Sequence, residues 1–251
     1  MSKLQGKVAV VTGGSRDIGR AIAIRLASEG AKVVVNYFNS AAGANETVSA
    51  ITKSGGTAVA IKADVSSLEQ IEFLKEEVLK NFGDKIDILV NNAGGLFARK
   101  TLQEFDEEFF DLVMGVNFKS TVFMSKTFVP LMKDSGSIIN LSSQAARDGG
   151  GGGSALYSSS KGAVTTFTRA MAKELGPKGI RVNAVCPGLI GTKFHDDFTK
   201  DEVRTKVAAN TPLKREGSPE EVADVVAYLA SEEASFITGN NIDINGGLAF
   251  S

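Results

Sequence analysis

The sequence predicts an α/β fold in which one open, parallel, doubly wound β-sheet carries helices on both faces, all within a single domain spanning 1–251. Three observations support this. Short β-branched runs alternate with longer helical patterns along the whole chain. The runs at 86–90 and 137–141 are apolar through most of their length, as is typical of strands covered on both faces. A glycine-rich turn joins the first strand to the first helix. Repeated strand–helix units close through right-handed crossovers and therefore give an open sheet.

The elements can be placed in order. Strands are predicted at 7–12, 32–37, 57–63, 86–91, 137–142, 180–186 and 241–244. Helices are predicted near 18–29, 40–54, 67–82, 101–113, 115–133, 155–175 and 218–230. The stretch 188–217 is polar and irregular. An insertion of this length between a strand and a helix is usually functional, so we expect it to be a substrate lid.

Composition and charge exclude several classes of protein. The formal net charge of -1 gives no electrostatic case for a nucleic-acid partner. No apolar run reaches the length of a membrane span, and the first residues lack a signal-peptide pattern. Cys186 is the only cysteine, so no internal disulfide forms and a reducing compartment is expected. The default prediction is a cytoplasmic protein with a small-molecule substrate and no membrane partner.

Residues 12–19 read Thr-Gly-Gly-Ser-Arg-Asp-Ile-Gly, directly after the first strand and before the first helix. Glycines allow the backbone to approach a pyrophosphate closely, and the start of a helix presents free N–H groups. Glycine-rich turns also occur for packing reasons. The order strand, turn, helix at the start of an alternating chain favours a dinucleotide site.

Tyr157 and Lys161 are four residues apart in a strongly helical stretch and therefore share one helix face. An ammonium beside a phenol lowers the pKa of the phenol, which predicts that Tyr157 acts as an acid or base near neutral pH. The alternative is an exposed pair on a surface helix.

Other polar residues fall where ligands of open sheets bind, at the carboxyl ends of strands. Ser143 follows the fifth predicted strand, where a hydroxyl can polarise a carbonyl oxygen, and Ser142 is equally plausible by composition. The segment 91–94 (Asn-Asn-Ala-Gly) ends the fourth strand. Asn117 interrupts a helical pattern, which indicates a kink or a polar role.

Together these motifs resemble the short-chain dehydrogenase/reductase family, with its Rossmann-type sheet, over essentially the whole chain. The resemblance implies NAD(P)-dependent transfer of a hydride between a carbonyl and an alcohol. It implies that Tyr157 donates the proton, that Lys161 binds the nicotinamide ribose and lowers the Tyr157 pKa, and that Ser143 polarises the carbonyl. Asn117 would hold a water that links Lys161 to solvent. A non-catalytic dinucleotide sensor would be expected to lack Tyr157, Lys161 or Ser143, and all are present.

The resemblance also implies a cofactor site along the carboxyl edge of the sheet. Asp64 would meet the adenine, Asn91 the adenosine side, and Thr192 with the backbone near Ile190 the carboxamide. The full set expected at the cofactor is Gly13, Ser15, Arg16, Ile18, Gly19, Asn36, Asp64, Val65, Asn91, Ala93, Gly94, Tyr157, Lys161, Pro187, Gly188, Ile190 and Thr192.

The chain departs from the family pattern twice. Asp17 stands where a glycine is usual, and we expect it to point back onto the helix end or away from the phosphates, with cofactor affinity somewhat weakened. The loop from Ser143 to Tyr157 is one residue longer than the commonest family spacing and contains five consecutive glycines, 149–153. This run is either a flexible surface loop or a backbone that must approach a ligand or a neighbouring subunit.

NADPH is the expected cofactor, with NADH possible. Members that prefer NAD place an acid at the end of the second strand, where this chain has Asn36. Arg16 lies in the glycine-rich turn 12–19, which we call the phosphate turn. Its planar guanidinium can bind a 2′-phosphate through two hydrogen bonds. The alternative for Arg16 is a solvent-exposed loop arginine.

The substrate is expected to be small and polar or anionic, because several cations fall in the loop and lid. Candidate substrate residues are Gly95, Arg147, Lys193 and His195, with Lys214 and Arg215 nearby. The alternative is a solvated lid surface. Lid and loop motifs look like a subgroup of bacterial reductases of 4-deoxy-L-erythro-5-hexoseulose uronate, whose carboxylate Arg147 or Lys193 would pair with. A 3-oxoacyl-[acyl-carrier-protein] reductase and a sugar dehydrogenase are the alternatives. His195 lacks any metal-ligand pattern, so no metal site is expected.

The family resemblance implies a homotetramer. One contact would use the helices 101–133 and 155–175, and the other the C-terminal helix and strand. Apolar residues on those helices suit either an interface or packing on the sheet: Phe109, Val113, Val164 and Phe167.

Overall fold

The computed structural model describes residues 2–133 and 135–250. The strands are β1 (Val8–Val11), β2 (Lys32–Tyr37), β3 (Thr57–Lys62), β4 (Ile88–Asn91), β5 (Gly136–Leu141), β6 (Ile180–Pro187) and β7 (Asn241–Ile244). They form one sheet in the order β3-β2-β1-β4-β5-β6-β7, and every neighbouring pair is parallel. The predicted α/β class with a parallel sheet is confirmed.

Helices connect the strands across both faces. They are α1 (Asp17–Ser28), α2 (Ala41–Lys53), α3 (Leu68–Phe82), α4 (Glu107–Met114), α5 (Ser120–Phe128), α6 (Ala145–Asp148), α7 (Ala155–Leu175), α8 (Lys193–Phe198), α9 (Asp201–Asn210) and α10 (Pro219–Ala230). A π-helical segment, Gly115–Lys119, joins α4 to α5, and single 3₁₀ turns follow α5, α7 and α10.

The core has two layers, one on each face of the sheet. On one face, Ile22 and Leu26 of α1 and Val226 of α10 are fully buried in one cluster with side chains of β1 and β2. On the other, Leu74 of α3 and Phe128 of α5 pack over the opposite side of the same strands. Because both faces are covered, the strands read as continuous apolar runs.

Two predicted helices begin or continue differently. The stretch 101–106 is not helical, since Asp106 accepts a hydrogen bond from the N–H of Phe109 at 2.8 Å and so starts α4. The expected helix 115–133 is divided: it opens as the π segment and ends at Phe128, before the 3₁₀ turn that contains Pro130.

The expected lid also has more structure than predicted, because α8 and α9 lie within 188–217. It starts at the carboxyl end of β6, and Ile190 pairs with Gly217 to close its base.

The chain reverses direction across the sheet between β1 and β4, which are neighbours although β2 and β3 come between them in sequence. Such a switch point leaves a crevice outside the carboxyl ends of the two strands, where open α/β sheets bind ligands. The phosphate turn follows β1 and the 91–94 segment follows β4, so both motifs lie at this crevice.

Within the described ranges, no helix combines the length and the apolar character needed to cross a bilayer.

Candidate active site

The turn after β1 leaves room only for hydrogen at its glycines. A Cβ built on Gly19 would lie 2.1 Å from the carbonyl oxygen of Gly13, and Gly13 itself has φ +64°. A Cβ at Gly14 would lie 3.0 Å from the side chain of Val35. The turn therefore keeps its backbone close to the start of α1, as a site for a dinucleotide pyrophosphate requires.

The segment after β4 holds this turn in place. The hydroxyl of Thr12 accepts hydrogen bonds from the N–H groups of Asn92 and Ala93, both at 2.9 Å. The Asn92 amide donates to the carbonyl of Thr12 at 2.9 Å and to that of Gly13 at 3.1 Å. Asn92 was missing from the predicted site, although its place beside Asn91 in the motif was a usable signal.

Arg20 is a second residue that the sequence prediction missed. Its guanidinium donates to the carbonyl of Ser15 at 3.1 Å and to that of Gly43 at 3.2 Å. It thereby ties the phosphate turn to α2. Its position on the helix after the turn gave no distinguishing signal in the sequence.

Asn36 is 2% exposed, and it supports the turn from below. Its side-chain oxygen accepts from the N–H of Gly13 at 3.4 Å, and its amide donates to the carbonyl of Ala63 at 3.0 Å. No carboxylate occupies the end of β2. Arg16 precedes α1 with a side chain that is 62% exposed and 3.7 Å from the carboxylate of Asp17.

Asp17 does not cap its own helix. It is the first residue of α1, has φ +49°, and no side-chain capping bond is formed at that end. Its carboxylate instead accepts a hydrogen bond from the backbone N–H of Lys193 at 3.3 Å. The carboxylate therefore bonds to the lid rather than to the end of α1, and its orientation relative to bound phosphates stays a prediction.

Asn91 faces the interior of the sheet. Its amide donates to Asn140 at 2.9 Å and to Ser125 at 3.3 Å, and its side-chain oxygen is buried without a hydrogen-bond partner in the described structure. Its side chain is therefore turned away from the crevice where the adenosine contact was expected. Asp64 lies after β3, accepts from both the N–H and hydroxyl of Ser66, and is followed by the buried Val65.

Asn117 lies fully buried in the π segment. Its side chain accepts from the N–H of Gly95 at 2.9 Å and donates to the carbonyls of Gly95 and Val113, both at 2.9 Å. The π segment explains the interruption that the sequence indicated, and such bulges are frequent at functional sites.

Gly94 sits between Asn117 and Lys161. A Cβ there would lie 2.5 Å from the side-chain oxygen of Asn117 and 3.0 Å from the Lys161 ammonium nitrogen. The structure therefore brings the 91–94 segment, the π segment and the Tyr157 helix to one point.

Lys161 is 4% exposed, and its ammonium donates to the carbonyl of Leu141 at 2.7 Å. Burial lowers the pKa of Lys161 to about 8, with a smaller opposing effect from Cys186. Ser142 donates to the carbonyl of Lys161 at 2.9 Å and is buried. Ser142 is thus occupied in holding α7 to β5, which leaves Ser143 as the hydroxyl at the site.

The Ser143 hydroxyl lies close enough to the Tyr157 phenol to affect its pKa. Burial raises the pKa of Tyr157, and the Ser143 hydroxyl opposes the rise. The expectation that Lys161 lowers the Tyr157 pKa is not met here, because the ammonium lies 5.9 Å from the ring centroid and bonds to Leu141 instead. Desolvation of the phenol outweighs the distant charge.

The phenol ring lies against the lid. Although Tyr157 retains some exposed surface, its ring centroid is 5.8 Å from that of Phe194 in α8, which packs in turn on Phe198 at 5.5 Å. Phe194 was not predicted as a site residue. Its aromatic character within the polar lid was the available signal.

The end of β6 leads into this lid. Gly188 follows Pro187 and packs tightly, since a Cβ there would lie 2.8 Å from the side-chain oxygen of Gln144. Ile190 and Thr192 are buried, and the Thr192 hydroxyl donates to the carbonyl of Ile190 at 3.2 Å. This run therefore adjoins Ser143 and Gln144 at the carboxyl edge.

The cationic side chains that were expected to contact the substrate have different partners in the structure. Arg147 donates to the carbonyl of Asn241 at 3.0 Å and lies 3.5 Å from Asp243, so it faces β7. Lys193 pairs with Asp197 at 2.7 Å on the lid surface. Burial and the nearby Arg204 lower the pKa of His195, which bonds to Thr199. Lys214 and Arg215 bond to Ala209 and Glu221.

The glycine run packs against the loop after β4. Arg99 donates to the carbonyl of Gly152 at 2.8 Å, and a Cβ on Gly153 would lie 3.0 Å from the Arg99 side chain. Within one chain, the close approach that the glycines permit is therefore to Arg99 and Lys100. Gly95, in the same loop, lies beneath the ring of Phe97.

No group of three potential metal ligands occurs among residues 2–133 and 135–250.

Comparisons with known proteins agree with this geometry. The sequence model of a family described as enoyl-(acyl carrier protein) reductase matches residues 13–249. An uncharacterised oxidoreductase of Methylorubrum extorquens is 43% identical over 99% of this chain and 100% of its own length. Glucose 1-dehydrogenase 2 of Bacillus subtilis is 40% identical over 98% of this chain and 95% of that protein.

Versicolorin reductase 1 of Dothistroma septosporum is 40% identical over 98% of this chain and 97% of that protein. Among solved structures, a short-chain dehydrogenase/reductase from Serratia marcescens superposes with a TM-score of 0.93 at 40% identity, over 99% of this chain and 100% of that chain.

The fold and the site define an NAD(P)-dependent oxidoreductase. The chain belongs to the short-chain dehydrogenase/reductase family. The tight glycine turn and the side-chain-free backbone at Gly94 are what the close approach of a dinucleotide needs, so the residues present fit the family's cofactor.

Proposed function

We propose that this chain is an NADPH-dependent carbonyl reductase that acts on a small polar or anionic ketone or aldehyde. The observation that carries the proposal is the buried Lys161, one helical turn from Tyr157 in α7, whose ammonium bonds to the Leu141 carbonyl at the end of β5, just before Ser143. The dinucleotide supplies the hydride when bound. Tyr157 remains protonated at neutral pH and donates its proton to the carbonyl oxygen, while the Ser143 hydroxyl polarises the same oxygen.

Lys161 and Asn117 position this pair. The Lys161 ammonium is fixed by Leu141, and Asn117 fixes the loop at Gly95 that packs against it. With a pKa of about 8, Lys161 is mostly protonated at neutral pH and can restore a proton to the site. Its binding of the nicotinamide ribose, and a water held by Asn117, are part of the proposal.

Replacing Tyr157 by Phe removes the transferred proton but keeps the ring against Phe194. We expect the rate of carbonyl reduction to fall by about 10³-fold or more, with the dissociation constant for NADP⁺ within about twofold. Binding is measured by calorimetry and turnover by absorbance. A Y157F variant that reduces carbonyls at the wild-type rate would contradict the role of Tyr157.

NADPH preference is inferred from Arg16 and Asn36. Arg16 is mostly exposed at the phosphate turn, and Asn36 places an amide where a carboxylate would repel a 2′-phosphate. R16A should raise the KM for NADPH by about tenfold, equivalent to one charge-assisted contact, and leave that for NADH nearly unchanged. R16K is the matched control, since it keeps the charge and loses the fork. Equal efficiency with both cofactors in the wild type would refute the preference.

The first substrate candidate is 4-deoxy-L-erythro-5-hexoseulose uronate. Of the two residues expected to meet its carboxylate, Lys193 suits the role better. Its partner Asp197 is exposed, and such surface pairs are weak enough to exchange for a substrate carboxylate. Arg147 is held by β7 and would have to leave those contacts. K193M should raise the KM for the uronate, whereas R147M should not.

Two alternatives have support from relatives. The matched family description favours an acyl-carrier-protein substrate, as in a 3-oxoacyl-[acyl-carrier-protein] reductase, and the Bacillus relative favours a sugar dehydrogenase. Initial rates of NADPH and NADH oxidation with the uronate or an acetoacetyl thioester, and of NADP⁺ and NAD⁺ reduction with glucose, separate the three. Cofactor binding without turnover on any carbonyl would point instead to a dinucleotide sensor.

A homotetramer is the proposed assembly. Phe109, Val113 and Val164 are buried within the chain and serve the core, whereas Phe167 is half-buried and packs on Phe118 at 6.0 Å. Exposed apolar side chains on α4 and near the C-terminus are what an interface would cover: Phe110, Leu112, Phe236 and Phe250. Light scattering after gel filtration measures the assembly, and a monomer at micromolar concentration would refute it.

A further inference from the structure

The helix α8 lacks a cap from its own sequence. Thr192 precedes it, but the Thr192 hydroxyl donates to Ile190 and forms no capping bond. The first N–H of the helix, that of Lys193, donates instead to the carboxylate of Asp17, which lies 176 positions earlier in the chain. A residue of the phosphate turn thus completes the start of the lid helix.

The other end of α8 is also held by a distant charged side chain. The guanidinium of Arg99 donates through Nε to the carbonyl of Phe198 at 3.0 Å. The same guanidinium is fixed by Gly152. An acid at the first N–H and a base at the last carbonyl both complement the helix dipole. We call Asp17 and Arg99 the lid clasp.

What the clasp positions is Phe194. This ring is the second residue of α8 and lies 5.8 Å from the Tyr157 ring, centroid to centroid. Movement of either end of such a short helix would shift Phe194 relative to the proton donor. The clasp therefore fixes the wall that the lid places beside Tyr157.

The position of Asp17 is unfavourable in two respects, its backbone conformation and its charge. Its φ of +49° is one that side-chain-bearing residues seldom adopt and that glycine adopts freely. Its carboxylate also lies on the turn that receives the phosphates of the dinucleotide, where a negative charge opposes binding. Neither feature helps α1, because the side chain forms no cap there.

We propose that Asp17 and Arg99 are positioning residues that hold α8 closed beside Tyr157, and that Asp17 supplies this order to the lid by weakening the binding of the dinucleotide. The first half of the proposal rests on contacts within the chain alone. The second half rests on the family's use of NAD(P), and its effect on turnover rests on the proposed carbonyl reduction.

Two substitutions at Asp17 separate the hydrogen bond from the charge. Gly and Asn both accept a positive φ, so both variants should fold. Asp17→Gly removes the acceptor and the charge. Asp17→Asn removes the charge and keeps a side-chain oxygen that can accept from the Lys193 N–H.

The first measurement is hydrogen exchange of the 192–199 peptide in the protein without added dinucleotide. The loss of one capping acceptor predicts exchange about fivefold faster in D17G, and D17N should remain close to wild type. R99M, which keeps the aliphatic stem, should also accelerate it. Asp224→Asn removes an exposed carboxylate from α10 and is the control, with unchanged exchange.

Unchanged exchange in D17G and R99M would overturn the clasp. Equal acceleration in D17N and D17G would overturn the hydrogen bond as its basis, since only the charge is common to both. A circular-dichroism melt checks folding, and if D17G does not fold, D17N and R99M still carry the test.

The second measurement is the dissociation constant of NADP⁺ by calorimetry. D17G and D17N should both bind about threefold to tenfold more tightly than the wild type, because both lack the carboxylate. Only D17G and R99M should raise the KM for the carbonyl. Weaker or equal NADP⁺ binding in both Asp17 variants would overturn the proposal that Asp17 orders the lid and weakens dinucleotide binding. If D17G and R99M change hydrogen exchange in the 192–199 peptide but the protein binds no dinucleotide, the proposed function is refuted and the lid clasp is not.

Discussion

The side-chain amide of Asn117 and the backbone of Gly95 are joined by two hydrogen bonds, one in each direction and both 2.9 Å long. This arrangement resembles the reciprocal pair of hydrogen bonds between two facing residues of antiparallel strands, although one partner here is a side chain in a π segment. It fixes the loop that carries Gly94 against Lys161. The loop after β4 is therefore held beside Lys161 by one buried amide.

Replacing Asn117 by Ala should destabilise the protein by about 2–4 kcal/mol, because the half-buried N–H and carbonyl of Gly95 and the buried carbonyl of Val113 lose their partner. Urea unfolding followed by circular dichroism measures the change. Asn81→Ala is the control, since Asn81 makes a single bond to Glu77 on an exposed helix. Equal effects of the two substitutions would show that the Gly95 contact carries no special weight.

Replacing Gly19 by Ala should abolish dinucleotide binding. The added methyl would lie 2.1 Å from the carbonyl oxygen of Gly13, so the turn must open. We expect the dissociation constant for NADP⁺ to rise at least about 100-fold and the stability to fall by about 1–3 kcal/mol. The matched control is Gly162→Ala, because a Cβ there meets nothing within 4 Å. Wild-type binding by G19A would contradict the assigned phosphate turn.

The glycine run offers a matched pair within one loop. Gly153 has φ +74°, and a Cβ there would lie 3.0 Å from the Cβ of Arg99, whereas a Cβ at Gly152 would meet nothing within 4 Å. Gly153→Ala should cost about 1–3 kcal/mol of folding free energy, and Gly152→Ala should be nearly neutral. Thermal melts of the two variants decide. A run that is only a flexible linker would tolerate both substitutions alike.

The buried Lys161 predicts a pH dependence of stability. Its folded pKa of about 8 lies below the ordinary value of 10.5. Below pH 8 the ammonium is charged in both states and its burial costs stability, while above pH 10.5 it is neutral in both. The stability of the wild type relative to Lys161→Met should therefore rise between these pH values, by up to ~3 kcal/mol.

This difference is measured by urea unfolding across pH 7.5 to 10.5 in the protein without added dinucleotide. Repeating both measurements in a Tyr157→Phe background removes the titration of the phenol. A wild-type-minus-K161M difference that is flat with pH would contradict the lowered pKa.

Much of the fold followed from local patterns. The buried runs and glycine punctuation located each strand to within a residue or two, because parallel strands covered on both faces have few other readings. The division of 115–133 could not be placed exactly, since the π segment depends on the contact of Asn117 with Gly95, which is distant in sequence. The helices inside 188–217 were missed because their polarity resembles that of a loop, and α8 is completed by Asp17 and Arg99.

The candidate site could likewise be predicted only in part from the sequence. Tyr157 and Lys161 could be grouped from helical spacing, and Ser143 from its place after a strand. The orientation of Asn91 and Arg147 could not be foreseen, because each choice depends on partners in other strands. The same holds for the direction of the Tyr157 pKa, which depends on how completely the lid covers the phenol.

The inward orientation of Asn91 bears on how the sheet is aligned. Asn91 lies opposite Asn140 in the register of β4 and β5, and their amides bond at 2.9 Å, with Asn140 continuing to Thr168 of α7 at 2.9 Å. Apart from Gly136 and Ser137 at the start of β5, the other residues of both strands are interchangeable buried aliphatics, so apolar patterning alone permits sliding. A slip of one residue would leave two buried amides without partners. These three polar side chains therefore favour a single alignment of the central strands, and with it the common edge at which the segments carrying Ser143 and Asn92 begin.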